Sequence, residues 1–198
     1  MKYRNILIVL LVLSHTFSFA QTPIKIEQVE SNKQVKFFYN VAEDYIWRVD
    51  IPFEFNVISS KSDSLWISDT FNYIIPEFSH TKTYEGWTPT RLYIKIGGEY
   101  LVQYRSKNYH YTFDSDTCRY LAIPLYEIEK DNDLQDSLRH YTKIMQNDSI
   151  KSLEVGTLSE FKRKHPKVVE RMLKSDSIRF TVRQHYEYID YIAIPIKY

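Results

Sequence analysis

The chain has 198 residues, with 26 Lys and Arg against 25 Asp and Glu, for a formal charge of +1. So even a balance supplies no global field to draw in nucleic acid, and a nucleic-acid partner is not expected. A single cysteine, Cys118, excludes an intramolecular disulfide, and only four glycines (Gly86, Gly97, Gly98 and Gly156) argue against the clustered turns that cradle nucleotide phosphates.

The first 20 residues read as an address. Lys2 and Arg4 precede an unbroken aliphatic run over 6–13, and the tail ending Ser18-Phe19-Ala20 places small residues at the −3 and −1 positions before Gln21. A bilayer span needs about 20 apolar residues, so this run is too short to be one. The layout predicts a cleavable signal peptide over 1–20, no transmembrane segment after its removal, and a soluble protein exported to the periplasm or the extracellular space. Loss of Lys2 and Arg4 leaves about 178 residues with a formal charge near −1, enough for one domain or two small ones. Cys118 lies far from the cleavage point, so a lipid anchor of the bacterial lipoprotein kind has no acceptor. In its strand-like run it reads as a buried, inert thiol.

From 21 to 130 strand signals follow one another, and the 17 tyrosines suit a pleated, half-buried surface. Residues 24–30 and 35–41 flank Ser31-Asn32-Lys33, which predicts a hairpin. Next comes the clearest alternation: Trp47, Val49, Ile51, Phe53, Phe55 and Val57 on a core face, Arg48, Asp50, Pro52, Glu54 and Asn56 on a water face. Pro52 lacks an amide hydrogen and predicts an edge strand or a bulge. Residues 65–67 form a short strand. Residues 91–96 and 99–104 around Gly97-Gly98 form the strongest hairpin, since two glycines can take the positive φ of a tight turn. Residues 109–113 and 119–126 complete this part.

The period changes near Lys130. Leu134, Leu138, Tyr141 and Met145 have helical spacing. After Gly156, Thr157 and Glu160 have capping-box spacing, and Leu158, Phe161, Val168, Val169, Met172 and Leu173 make an apolar stripe. Pro166 predicts a kink, or two helices with the proline in the first turn of the second. Strand patterns return at Ile178, Phe180 and Val182 and over 191–196. The fold class is therefore α+β: an antiparallel β-rich sandwich or open barrel over 21–130, a helical segment near 131–174, and C-terminal strands to 198 that stand apart or pack onto the same domain. The likeness of Tyr120-Leu121-Ala122-Ile123-Pro124 to Tyr191-Ile192-Ala193-Ile194-Pro195 suggests either a duplication or two strands ended by proline, and no fixed period supports the former.

Chemistry-bearing constellations are sparse. No metal-ligand spacing and no nucleophile elbow is present, so neither a cofactor nor a metal is expected. His110 with Asp114 and Asp116, or His185 with Glu187 and Asp190, could pair a base with an orienting acid. The loop over 77–90 carries Tyr84 and Trp87, shaped by Gly86 and Pro89, and is the candidate ligand-binding site. An exposed indole stacks on sugars or anchors partners, whereas a folded-back one plugs the end of a sandwich. Arg163, Lys167, Arg171 and Lys174 are spaced to share one helix face, as a solvated surface or a seat for an anion. Asp-Ser-aliphatic occurs at Asp63, Asp136, Asp148 and Asp176. It resembles the O-glycosylation acceptor of some Gram-negative envelope proteins, and the same residues also open turns and caps.

These features lead to an exported, non-catalytic binding or adaptor protein of the bacterial cell envelope, with a glycan or envelope protein as partner. The alternatives are a periplasmic hydrolase built on His110 or His185, and a structural subunit that pairs through strand edges.

Overall fold

The structure, a computed structural model, describes residues 24–59, 65–74, 91–102, 117–174, 176–184 and 187–198. The expected leader, the strand over 109–113, and Tyr84, Trp87, His110 and His185 lie outside them.

The fold is α+β and mostly antiparallel sheet, and its sheets do not close into a barrel. The first sheet orders β1 (Ile24–Val29), β4 (Phe53–Ser59), β8 (Thr117–Ile123), β6 (Arg91–Ile96) and β7 (Glu99–Val102). The second orders β10 (Ser152–Thr157), β2 (Gln34–Asn40), β3 (Tyr45–Asp50) and β9 (Leu125–Glu127). The third orders β12 (Glu187–Pro195), β11 (Ser177–Gln184) and β5 (Leu65–Ile74). Three helices follow the β-rich part: α1 (Leu134–Asn147), α2 (Leu158–Lys164) and α3 (Pro166–Leu173).

The alternation is borne out at Val49, Ile51, Phe53, Phe55 and Val57, all fully buried, but not as one strand. At Ile51-Pro52 the chain leaves the second sheet and enters the first. Its antiparallel neighbour crosses the other way, from the first sheet to the second, at Ile123-Pro124, and the Ile51 amide donates to the Pro124 carbonyl at 3.3 Å. Pro52 is thus neither on an edge nor at a bulge. It sits at a corner where two paired strands turn together between sheets, a place that requires no donor from it. Trp47 also leaves the expected face. The register between β2 and β3 slips from Phe38↔Arg48 to Tyr39↔Ile46, so Trp47 is the extra residue and Ile46 points into the core instead.

The hairpin predicted around Ser31-Asn32-Lys33 does not form. β1 pairs with β4 and β2 pairs with β3 and β10, so this connection passes between two sheets. The Gly97-Gly98 hairpin does form, with φ of 58° and 92° at the two glycines. The strand expected over 65–67 extends to Ile74 and pairs with β11.

α1 buries the expected Leu134, Leu138, Tyr141 and Met145. The helical segment is interrupted by β10, an edge strand on β2 that its sequence hardly signals: in Ser152–Thr157 only Val155 is buried. The capping box of α2 is complete, Thr157 Oγ1 accepting from the Glu160 amide at 3.3 Å and Glu160 Oε2 from the Thr157 amide at 2.9 Å. Pro166 opens α3 as predicted. One hydrophobic cluster runs through both halves of the chain. Phe37 meets Tyr141 and Phe161 edge-on at 5.0 and 5.5 Å, seating α1 and α2 on the second sheet. Phe55 meets Phe180 at 5.0 Å, joining the first sheet to the third.

Candidate binding groove

The face of the first sheet opposite Phe53 and Phe55 was expected to meet water. It does not do so at Glu54, which is only 3% exposed. Its cross-strand partner on β8, Leu121, is as deeply buried. A buried carboxylate costs several kcal/mol unless it is compensated. Two groups from distant parts of the chain do this. Ser31, in the connection after β1, donates its hydroxyl to Glu54 Oε1 at 3.0 Å. Arg119 on β8 places Nη1 3.7 Å from Glu54 Oε2, while its Nε donates to Asn56 Oδ1 at 3.2 Å. The Lys33 amide donates to the Ser31 oxygen at 3.2 Å, which fixes that hydroxyl in turn.

Above this floor lies Tyr100 on β7. Burial, followed by the neighbouring Glu54 carboxylate, holds its hydroxyl well above the ordinary tyrosine range, with Arg119 pulling the other way. The phenol therefore stays protonated and keeps a donor at the groove floor. Lys33 Nζ stands 5.4 Å and Lys95 Nζ 5.6 Å from the Tyr100 ring centroid. Lys95 and Tyr100 are cross-strand partners set by the Gly97-Gly98 turn, whereas Lys33 arrives from the β1–β2 connection. Glu54, Arg119, Tyr100, Lys33 and Lys95, with Glu30 and Glu99, line a groove of about 580 Å³. That lies within the roughly 300–1,000 Å³ of small-molecule sites, although its walls are far more polar than most. A second hollow, between α2 and the C-terminal Tyr198, is lined only by exposed or half-buried residues.

The other sequence candidates end elsewhere. Tyr84, Trp87, His110 and His185 are outside the described residues. His165 lies between α2 and α3, and its Nε2 is 2.7 Å from the Tyr141 hydroxyl. Arg163, Lys167, Arg171 and Lys174 do not share one helix, because the break at His165-Pro166 leaves Arg163 on α2 and the others on or after α3. Arg171 is paired with Asp133. Among the Asp-Ser-aliphatic sites, Asp136 pairs with Arg139 on α1, Ser149 sits exposed in a turn at φ 55°, and Asp176 is buried. Among the described residues no three His, Cys, Asp or Glu side chains converge as metal ligands.

Glu54 and Tyr100 escaped the sequence reading. Glu54 sat at an outward position in a clean alternation, and nothing local signals that a loop 23 residues earlier covers it. No family model, curated protein or solved structure matches the chain.

Proposed function

We propose that this chain is an exported, non-catalytic binding protein of the bacterial cell envelope, and that it holds a saccharide in the groove above Glu54. The leader pattern supports export. Among the described residues no helix is long and apolar enough to cross a membrane. The observation that carries the binding reading is the buried Glu54 carboxylate. It is an acceptor held in place from two sides by Ser31 and Arg119, beside a protonated phenol, at the base of a polar groove. Fixed donors and acceptors of this kind match sugar hydroxyls without the cost of ordering side chains on binding. The test is a saccharide array probed with the chain from Gln21 onward, alongside Glu54→Gln, which keeps shape and removes charge. Retention of a saccharide class by the wild type, with at least tenfold weaker binding by the variant, is expected. A blank array, or equal binding by both, overturns the reading.

A further inference from the structure

We infer that Ser149 is an O-glycosylation acceptor, presented to a glycan-transferring enzyme by the turn that ends α1. Modification there is independent of the groove and shares only export with the reading above. Five of the 12 aspartates are followed by Ser, although only 17 of the 198 residues are Ser, and four of the five pairs precede Leu or Ile. Turn and cap formation is the ordinary reason for such pairs. It does not account for the pair at Asp148. Asp148 closes α1, and the next two amides fold back: Ser149 donates to the Gln146 carbonyl at 3.2 Å and Ile150 to the Met145 carbonyl at 3.0 Å. This is a Schellman ending, with Ser149 in the left-handed position at φ 55° and Ile150 half-buried against the core. Packing explains Ile150 but neither of its predecessors. Glycine or asparagine suits the left-handed position better than serine. A carboxylate at a helix C-terminus meets the negative end of the dipole, where a cation is favoured, and the last turn of α1 has no basic residue. Both side chains are exposed, and neither has a hydrogen bond or ion pair among the described residues. Residues that run against local preference and gain no contact in return mark a functional position.

The other pairs are placed less well. Ser137 is held inside α1, with Asp136 paired to Arg139. Ser177 belongs to β11 and follows the buried Asp176. Ser64 lies outside the described residues. Asn147, which with Ser149 makes an N-linked acceptor pattern, is the last residue of α1 and is held helical. Ser149 alone of these stands exposed, outside helix and strand. In the transfer its Oγ bonds to the anomeric carbon of a diphosphate-activated glycan. The bond from that carbon to the diphosphate breaks, the diphosphate leaves with the electron pair, and the hydroxyl proton passes to a base of the enzyme.

Peptide mapping of the chain purified from its native host tests this. Trypsin frees 144–151, in which Ser149 is the only hydroxyl residue, and 131–139, in which Ser137 is the only one. The expected result is a glycan on 144–151, placed on Ser149 by electron-transfer fragmentation, at least tenfold more abundant than any on 131–139. Ser149→Gly suits the left-handed backbone, so it should melt no lower than the wild type and lose the glycan mass. Ser137→Ala should keep that mass. An unmodified 144–151 in a chain that begins at Gln21 overturns the proposal and leaves export standing. In a chain that still begins at Met1 it overturns both. A glycan on Asn147, or equal occupancy of Ser137, overturns the selection of Ser149 by its turn.

Discussion

Asp176 shows how one residue can set a pH response. It is 2% exposed, and its Oδ2 accepts from the Tyr126 hydroxyl at 3.3 Å. Burial pushes its carboxyl from 3.8 up to about 7, with the Tyr126 bond drawing it part of the way back. Between about pH 4 and pH 7 the folded chain therefore binds more protons than the unfolded one, and stability falls as pH rises through that window. Asp176→Asn should flatten this slope and raise stability near pH 8 by on the order of 2 kcal/mol, read as urea midpoints across pH. No change in slope would mean that the carboxyl titrates normally. His165 acts in the opposite sense: burial, then Lys164 and His140, hold it below 6.5, and its contribution is lost as pH falls. Gly156 has φ 105°, and an added Cβ would lie 2.7 Å from Glu160 Oε2. Gly156→Ala thus strains the backbone and breaks into the capping box. A loss of about 2 kcal/mol, or roughly 4–8 °C in Tm, is expected by thermal melting. An unchanged Tm would show that the turn has another conformation available.

At the scale of elements, strands end where a side-chain amide takes over the ladder. Gln135 of α1 donates to the Ile46 carbonyl at 2.8 Å and accepts from the Ile46 amide at 3.2 Å, next to the bulge at Trp47. Gln28 does the same for Lys197, donating at 2.7 Å and accepting at 2.8 Å, and so stitches β1 to the chain end after β12. Each glutamine imitates a peptide unit and satisfies backbone groups that have no strand beside them. Gln28→Ala should cost about 1 kcal/mol and speed hydrogen exchange at the Lys197 amide while leaving the core strands β4 and β8 protected. Exchange unaltered at Lys197 would show that the stitch is not formed in solution. The prolines act at this scale too. Pro124 turns a strand between sheets, whereas Pro195 in the similar segment ends β12, so the shared pattern reflects one use of proline, the ending of a ladder.

At the scale of the whole molecule, stability without a disulfide must come from burial, and the apolar cluster draws on both halves of the chain. The groove exists because four segments remote in sequence meet: the connection after β1, the start of β4, the β6–β7 hairpin and Arg119 of β8. The proposed export is also tested on the whole chain. Intact mass of the native protein should match a chain beginning at Gln21, and a mass that includes Met1 would refute the leader.

Sequence alone determined what periodicity and local sterics control. The buried faces of β4 and α1, the Gly97-Gly98 turn, the Thr157-Glu160 cap and Pro166 at a helix start follow from neighbours a few residues apart. Tertiary structure decided whatever depends on partners far along the chain: the split of one alternation into two sheets at Pro52, the bulge that turns Trp47 out, the missing hairpin after β1, and the burial of Glu54 at an outward position. The physical reason is that alternation fixes which side of a strand a residue occupies but not what comes to lie on that side. For Glu54 that was a serine from one connection, an arginine from another strand and a tyrosine from a distant hairpin, and the candidate site is the result.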